Sequence, residues 1–450
     1  MALISDTIVA LGTATGRAGI AVVRLSGPDA LAIVENLAGG LPPPRTARLR
    51  RARDADGTVL DLGLVLTYPA PNSYTGEDVA EFQGHGGRLL AQLVINRCVE
   101  LGARRAEPGE FSQRAFLNDR LDLAQVEAIV DAVNAGSAAA ALAAMRSLDG
   151  AFSAAIHALV AELTELRVYV EAAIDFPDEE LDLLSDRGLN DRVARLESRF
   201  DELGARLRAG RALTDGLTLA LVGKPNAGKS SLMNVLAGVD AAIVTDIPGT
   251  TRDVLREQIE LGGLPVTVID TAGLRAETTD PIEQAGIERA RREVSRADHA
   301  LVIVDGAVPD TGAPAGDADA LTASLQRGED VTVVVNKVDL VPARTWPEHW
   351  IPVSAKTGAG VDALIAHLHG VAGFAADREG TFSARQRHID AFEEARAAFQ
   401  RGRAALTDQA AGELLAEELR VAQQALGTIT GDVTSDDLLG EIFSSFCIGK

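Results

Sequence analysis

Several residue types and patterns are scarce in this sequence, and each scarcity excludes a class of protein. Only two cysteines occur in 450 residues, Cys98 and Cys447, so a disulfide framework is excluded and a reducing cytoplasm is expected. The first residues lack a basic segment followed by an apolar one, and no apolar run reaches the roughly 20 residues of a membrane span. The scattered histidines form no zinc-binding pattern with the cysteines. We therefore expect a cytoplasmic protein without a membrane segment.

Basic residues are also scarce, and the formal net charge is −22. Residues 1–120 hold 13 Arg, no Lys and 13 Asp plus Glu, so the remaining 30 basic and 52 acidic residues carry the whole negative charge. Nucleic-acid backbones are bound by clustered Lys and Arg, and an acidic body would hold RNA poorly by itself. If RNA is the substrate, a partner should help to hold it.

The length and the changes in composition along the chain predict several domains, because 450 residues are too many for one core. Residues 1–120 alternate β-rich runs with turns and helical patterns, which favours an α+β domain. Residues 121–212 and 380–450 are rich in Ala, Leu and Glu, which is typical of long helices. Residues 213–379 alternate strands and helices as in a doubly wound parallel sheet. We predict that this α/β domain is inserted into one discontinuous helical domain, with its two ends close together.

A basic stretch within the first domain has two ordinary interpretations. Pro42, Pro43 and Pro44 precede arginines at positions 45, 48, 50, 51 and 53. Such a cluster is more often a solvated loop or an edge strand than a binding arm.

The most informative motif follows the apolar run Leu217–Val222. It reads G-x-x-x-x-G-K-S over residues 223–230 and opens a helix-compatible segment, so an incidental glycine-rich turn is the weaker interpretation. Backbone N–H groups and the helix N-terminus of such a loop surround phosphates, while Lys229 reaches the β- and γ-phosphates and Ser230 offers its hydroxyl to Mg²⁺. The residues that we assign to nucleotide binding here are Asn226, Ala227, Gly228, Lys229, Ser230 and Ser231.

Motifs further along the chain predict which nucleotide binds. A strand ends in Asp270-Thr271-Ala272-Gly273, where the carboxylate can hold Mg²⁺ through water and the Gly273 N–H can sense a γ-phosphate. Two later strands run into Asn336-Lys337-Val338-Asp339 and Ser354-Ala355-Lys356. Asp339 can accept hydrogen bonds from guanine N1–H and its amino group, and the Ala355 N–H can donate to O6. Adenine presents the reverse pattern, so we predict GTP.

The residues that position the attacking water are less obvious. Thr245–Asp253 is polar and contains Gly and Pro, which indicates a switch segment. In it, Thr251 can add its hydroxyl to Mg²⁺. Leu274 stands where Ras-like GTPases have a water-orienting Gln. Asn226 can supply a carbonyl oxygen to a monovalent cation instead. Glu283 is a second candidate, although its position three residues after Asp280 favours a capping box from the residues alone.

Further blocks resemble one particular family. They are Gly16–Arg24, Tyr74–Gly87, Gly109–Gln125 and the C-terminal Cys447-Ile448-Gly449-Lys450. With them, the chain resembles the MnmE family of tRNA modification GTPases, also called TrmE, from Asp6 to its last residue. The resemblance implies an N-terminal α+β tetrahydrofolate-binding and dimerisation domain, a discontinuous helical domain and an inserted Ras-like P-loop G domain.

The resemblance also implies cofactors and partners. A homodimer would work with a flavin-dependent partner, which carries FAD, to install a C5 (carboxymethyl)aminomethyl-type group on the wobble uridine of tRNA, and a tetrahydrofolate derivative would supply the one-carbon unit. The implied folate ligands are Arg24, Glu81, Arg120 and Lys450, with Arg120 standing where many relatives have Lys. The implied K⁺ ligands are Asn226 and the backbone of Thr245, Ile247 and Thr250. Thr245, Thr250 and Thr251 are also predicted to bind GTP.

Catalytic roles follow from the same resemblance. Hydrolysis would be K⁺-stimulated and switched on when two G domains meet, with Glu283 positioning the water through another water and capping as a compatible second role. Asn226, Lys229 and Cys447 complete the implied catalytic set, although Cys447 also suits a small buried hydrophobe. Two other functions stay open. One is a GTP-dependent ribosome assembly factor without covalent RNA chemistry, and the other is a folate-dependent one-carbon enzyme that GTP only regulates.

Overall fold

The computed structural model describes residues 6–175, 187–239, 256–270, 297–308, 313–325, 330–374, 381–409, 411–433 and 436–444, together with 446 and 449. The chain forms two compact units, one of residues 1–130 with 427–450 and one of residues 131–426. In the described ranges, no helix combines the length and the apolar character needed to cross a bilayer.

The strands of the described residues form one sheet in each unit. They are β1 (Ile8–Leu11), β2 (Ile20–Ser26), β3 (Arg48–Arg53), β4 (Val59–Tyr68), β5 (Val79–His85), β6 (Arg104–Arg105), β7 (Leu217–Gly223), β8 (Arg256–Leu261), β9 (Leu264–Asp270), β10 (His299–Asp305), β11 (Val331–Asn336) and β12 (Ile351–Pro352).

The long helices lie, in sequence, between the strands of the two sheets or after the last strand. The helices of the described residues are α1 (Ala30–Ala38), α2 (Arg88–Glu100), α3 (Glu110–Leu117), α4 (Leu123–Asn134), α5 (Ala138–Leu148), α6 (Ala151–Asp175), α7 (Arg187–Asp215), α8 (Lys229–Val239), α9 (Ala313–Leu325), α10 (Val361–Val371), α11 (Gln386–Gln409), α12 (Gly412–Thr430) and α13 (Asp436–Ser444).

The first unit is built on a six-stranded sheet of order β3-β4-β5-β2-β1-β6. Its pairs are antiparallel except for β1 with β6, and the basic stretch forms the edge strand β3. Alternate residues of the strands, such as Val23 and Leu25, share a buried core with Val34 of α1 and Val94 of α2. The opposite face of β1 packs against Phe111 of α3.

The C-terminal segment belongs to this first unit. Phe443 and Phe446, at and just after the end of α13, form a small core with Leu123 and Val126. Gly449 lies so close to the carbonyl of Leu11 that a side chain at this position would collide with it. Gly449 therefore lies beside the end of β1.

The second unit contains the α/β part and most of the long helices. Its sheet has the order β12-β11-β10-β7-β9-β8, and its pairs are parallel except for β8 with β9. The central strands are continuous apolar runs, as expected of parallel strands that helices cover on both faces. Leu219 and Leu221 of β7, for example, share a core with Leu232 of α8 and Leu364 of α10.

The long helices that flank the α/β part in sequence pack together. Phe200 of α7 stacks on Phe399 of α11 with ring centroids 5.2 Å apart, and Phe152 of α6 stacks on Phe382 at 4.6 Å. Gly210 of α7 lies against the carbonyl of Phe382, which leaves no room for a side chain at position 210. Positions 210 and 382, which flank the predicted insertion, are therefore in contact.

Candidate functional site

The polar residues of the α/β part gather where parallel strands end. In the sheet, Gly223 lies opposite Ile303, and Asp305 lies opposite Asn336. Strand β9 ends beside β7 at Asp270. Ligands of such sheets bind outside the carboxyl ends of the strands. The phosphate loop, the end of β9 and the loop after β11 therefore share one edge, as the motifs predict for a nucleotide site.

The phosphate loop connects β7 to α8 through unusual backbone conformations. Asn226 has φ +65° and Gly228 has φ +92°, which is costly for most L-residues. A side chain on Gly228 would also collide with the amide of Asn336. The Lys229 ammonium donates to the carbonyls of Gly223 at 2.6 Å and Lys224 at 3.2 Å, so the loop curls around it. The remaining predicted residues of the loop are Ala227, which is buried, and Ser230 and Ser231, which are exposed in the first turn of α8.

Asn336 connects the predicted base-binding motifs to the phosphate loop. Its side chain is 1% exposed, and Nδ2 donates to the carbonyl of Ala227 at 3.0 Å. Its Oδ1 accepts from the N–H groups of Lys337 at 2.8 Å and Ala355 at 3.0 Å. The Ala355 N–H, which we predicted to donate to guanine O6, is thus held by Asn336. One buried amide fixes three loop segments relative to one another.

Lys337 and Asp339 are each held by a second residue. The Lys337 ammonium donates to the carbonyl of Asn226 at 2.7 Å and to Oδ2 of Asp305 at 2.6 Å. The Ser354 hydroxyl donates to Oδ1 of Asp339 at 2.7 Å, which leaves the other carboxylate oxygen for a ligand. Lys356 follows as an exposed residue. Sequence reasoning missed Asp305, although its place at the end of an apolar run is a usable signal.

A second group of predicted residues lies on the sheet of the first unit. Arg24 donates from Nε to Glu81 at 2.9 Å across neighbouring strands. The Arg24 guanidinium lies 5.6 Å from the ring centroid of Tyr74 and 5.9 Å from that of Phe111. Burial raises the pKa of Tyr74, which keeps its hydroxyl neutral. Gln83 donates to the other carboxylate oxygen of Glu81 at 3.1 Å, so the carboxylate and the guanidinium are held in fixed positions.

Of the other two predicted folate ligands, the structure describes Arg120. Arg120 is exposed, and its aliphatic stem lies against Gly76, two residues after Tyr74. Gly449, the residue before Lys450, lies beside Leu11 at the end of β1, and β1 pairs with the strand that carries Arg24.

A charged cluster supports the loop that carries Tyr74. Arg114 is 1% exposed and pairs with Glu110 at 2.9 Å and Glu77 at 3.1 Å. Burial would raise the pKa of Glu110, but hydrogen bonds from Arg104, the Glu107 N–H and Arg114 outweigh burial and hold that pKa below its ordinary value. The Tyr74 hydroxyl hydrogen-bonds to Ser112 of the same helix at 2.8 Å.

Several predicted site residues lie outside the described residues. These residues are Thr245, Ile247, Thr250, Thr251, Gly273, Glu283, Cys447 and Lys450. The backbone of Asp270 is described, but its side chain is not.

Comparisons with known proteins show the family of this chain. Residues 7–120 match the family described as "GTP-binding protein TrmE N-terminus", and residues 123–447 match the "MnmE helical domain" family. A curated relative from Sodalis glossinidius (strain morsitans), named tRNA modification GTPase MnmE, is 53% identical over 456 residues, which cover 99% of each chain. The chain belongs to the MnmE family. The resemblance stated from the motifs is confirmed, and so is the predicted fold class of an N-terminal α+β part, a discontinuous helical part and an inserted P-loop α/β part.

Two solved structures each match less than half of this MnmE-family chain. The G domain of FeoB from T. maritima is 22% identical and covers 35% of this chain and 98% of its own, with a TM-score of 0.27. Era from Aquifex aeolicus is 23% identical and covers 41% of this chain and 67% of its own, also with a TM-score of 0.27.

Proposed function

We propose that this protein binds and hydrolyses GTP in the service of tRNA modification. The observation that carries the proposal is the full-length match to a relative named tRNA modification GTPase, at 53% identity. The convergence of the phosphate loop, Asn336 and Asp339 at one sheet edge supports the same activity, because guanine nucleotides need these groups together.

Guanine selectivity follows from the groups around Asp339. Its carboxylate accepts from Ser354 through one oxygen and has the other available for guanine N1–H and the amino group. The Ala355 N–H would then divide its hydrogen bond between Asn336 and guanine O6. Buried polar groups that lose their partners are costly, so adenine would be rejected strongly.

Catalysis would combine the loop with two cations and one carboxylate. Lys229 would bind the phosphates, Ser230 and Thr251 would hold Mg²⁺, and Asp270 would hold it through water. Asn226 would hold a K⁺ ion together with backbone groups of Thr245, Ile247 and Thr250. Both cations supply positive charge against the phosphates when bound. Glu283 positions water, and the reaction is fastest when two G domains face each other.

Glu81 suits the pterin edge of a tetrahydrofolate derivative, and Arg24 suits its anionic tail. A carboxylate can pair with the adjacent N–H groups of a pterin, and the rings of Tyr74 and Phe111 beside Arg24 provide an apolar wall. Arg120 and Lys450 would add positive charge for the glutamyl tail. The folate would supply the one-carbon unit that the modification consumes, and Cys447 lies three residues before the terminal ligand in sequence.

Homodimerisation through the first unit has support in an exposed apolar row. Leu49 and Leu64 lie opposite each other on β3 and β4, on the same face as Leu62, and are 59% and 39% exposed. Ile20, at 61% exposure, lies opposite His85 on β5. Exposed apolar rows of this kind are typical of interfaces. The dimer would work in the cytoplasm with an FAD-carrying partner that helps to hold tRNA and to modify C5 of its wobble uridine.

We extend this proposal to the division of labour along the chain. Residues 1–120 would bind folate and dimerise, residues 213–379 would form the G domain, and residues 121–212 with 380–450 would form the helical domain.

Hydrolysis in KCl and in NaCl tests the nucleotide chemistry. We expect a much higher rate in KCl, loss of this difference in Asn226→Lys because its ammonium replaces the cation, and loss of hydrolysis in Lys229→Ala. Equal rates in the two salts would contradict the cation mechanism. An unchanged rate in Lys229→Ala would contradict the assignment of the loop.

A further inference from the structure

We propose that Asp305 is a positioning residue for guanine nucleotide binding and that it acts through Lys337. The proposal rests on the GTP binding proposed above and adds a residue outside the recognised motifs. Asp305 ends β10 and lies opposite Asn336 in the sheet, at the same edge as the phosphate loop.

The Asp305 carboxylate is held in place from both sides. Its Oδ1 accepts from the N–H of Ala307 at 2.9 Å, and its Oδ2 accepts from the Lys337 ammonium at 2.6 Å. The neighbouring Gly306 N–H donates to the carbonyl of Asn336 at 2.8 Å, which ties the turn to β11. The carboxylate is therefore pre-positioned by backbone contacts that do not involve Lys337.

The Lys337 ammonium also contacts the phosphate loop, and Asp305 helps to keep it there. The ammonium donates to the carbonyl of Asn226 at 2.7 Å. A lysine side chain is long and flexible, and each contact that it makes costs rotamer entropy. Asp305 offsets that cost, so Lys337 stays extended across the site and holds the loop at Asn226.

The backbone at both ends of this contact supports a functional role. Lys337 and Asn226 each have φ +65°, and strained non-glycine residues of this kind concentrate at functional sites. The two strained residues touch each other through the ammonium that Asp305 holds. Loss of Asp305 would therefore loosen the loop conformation on which phosphate binding depends.

The positioning role and a simple charge effect predict opposite results. Removing a carboxylate from the vicinity of the phosphate loop would strengthen the binding of an anionic nucleotide if only the electrostatic field mattered. Removing a carboxylate that holds Lys337 would weaken it. Asp305 is 24% exposed and Lys337 is 32% exposed, so solvent screening moderates both effects.

The same loop provides a matched control. Lys224 pairs with Asp317 of α9, also at 2.6 Å, but Lys224 is 64% exposed. The change Asp317→Asn removes the same charge near the same loop and breaks an equally short ion pair. Exposed pairs contribute little, and in the described part of the chain the Lys224 ammonium donates to Asp317 and not to Asn336 or Lys337.

The experiment measures the affinity of the full chain for a fluorescent GDP analogue. We expect Asp305→Asn to bind about tenfold more weakly than the wild type and Asp317→Asn to match the wild type. Asparagine can still accept the Ala307 N–H, so the turn should survive, and unchanged near-UV circular dichroism would verify this. Because the effect passes through Lys337, Asp305→Asn should cost nothing further in a Lys337→Met background.

Three outcomes would overturn the proposal: equal or tighter binding by Asp305→Asn, an equal loss in Asp317→Asn, or additive losses with Lys337→Met. Absence of GDP binding by the wild type is distinguishable, because it would contradict the proposed nucleotide site itself.

Discussion

Ser137 connects the helical part of the second unit to the turn between β8 and β9, and its replacement should lower the free energy of unfolding of the α/β part. Its hydroxyl accepts from the N–H of Ala140 at 3.1 Å as the N-cap of α5. It also donates to the carbonyl of Gly263, between β8 and β9, at 2.8 Å. The residue is 7% exposed, so water replaces neither bond easily.

The two bonds can be separated by substitution. An N-cap contributes about 1 kcal/mol to the free energy of unfolding, and a neutral hydrogen bond contributes about another 1 kcal/mol. We expect Ser137→Ala to lose both, about 2 kcal/mol. Ser137→Gly keeps most of the capping stability, because glycine is tolerated at N-cap positions, but it loses the donor to Gly263, so it should lose about 1 kcal/mol.

Urea unfolding followed by tryptophan fluorescence measures the free energy of unfolding of the α/β part. Trp346 and Trp350 both lie in the α/β part, between β11 and β12, and far-UV circular dichroism follows the helices in parallel. Both variants within about 0.5 kcal/mol of the wild type would refute the reasoning. Equal losses in the two variants would show that the cap contributes nothing.

Three further predictions follow from buried groups. Asn336→Ala should weaken GDP binding about 100-fold, because three loop segments lose a shared amide. A dissociation constant within about threefold of the wild-type value (roughly 0.7 kcal/mol) in a fluorescent-GDP titration would contradict this. The lowered pKa of Glu110 means that its stabilisation is complete above its unfolded-state pKa, about 4.3, and is lost as the pH falls below it. Glu110→Gln should therefore be less stable at neutral pH but lose less stability on acidification, and urea midpoints that fall equally in both proteins would be inconsistent with this. Burial raises the pKa of the Cys98 thiol to about 12, so iodoacetamide at mildly alkaline pH should modify it only in denaturant; peptide mass spectrometry that finds native labelling would disprove the packing of α2.

Sequence reasoning worked best where function depends on residues that are neighbours in the chain. The spacing from Gly223 to Ser230 is local, so strand, loop and helix could be assigned before any contact was known. The strand β5 was harder to recognise. It carries Glu81, Gln83 and Gly84, which make an apolar pattern difficult to see, although its first half is buried by α1 and α2.

Contacts between distant segments could not be predicted in this way. The pairing of Asp305 with Lys337 depends on the register between β10 and β11, and strand register is set by the packing of the whole sheet. The position of Gly449 beside Leu11 joins the two ends of the chain, and no local pattern indicates it. The arginine-rich stretch was compatible with a loop or an edge strand, and its pairing with β4 decides for the edge strand.

The most direct test of the proposed function is mass spectrometry of tRNA nucleosides from cells that lack this protein. We expect the C5 substituent of the wobble uridine to disappear and to return with the wild-type gene but not with Lys229→Ala. An unchanged C5 substituent, together with co-sedimentation of the protein with ribosomes, would contradict a role in tRNA modification and favour ribosome assembly.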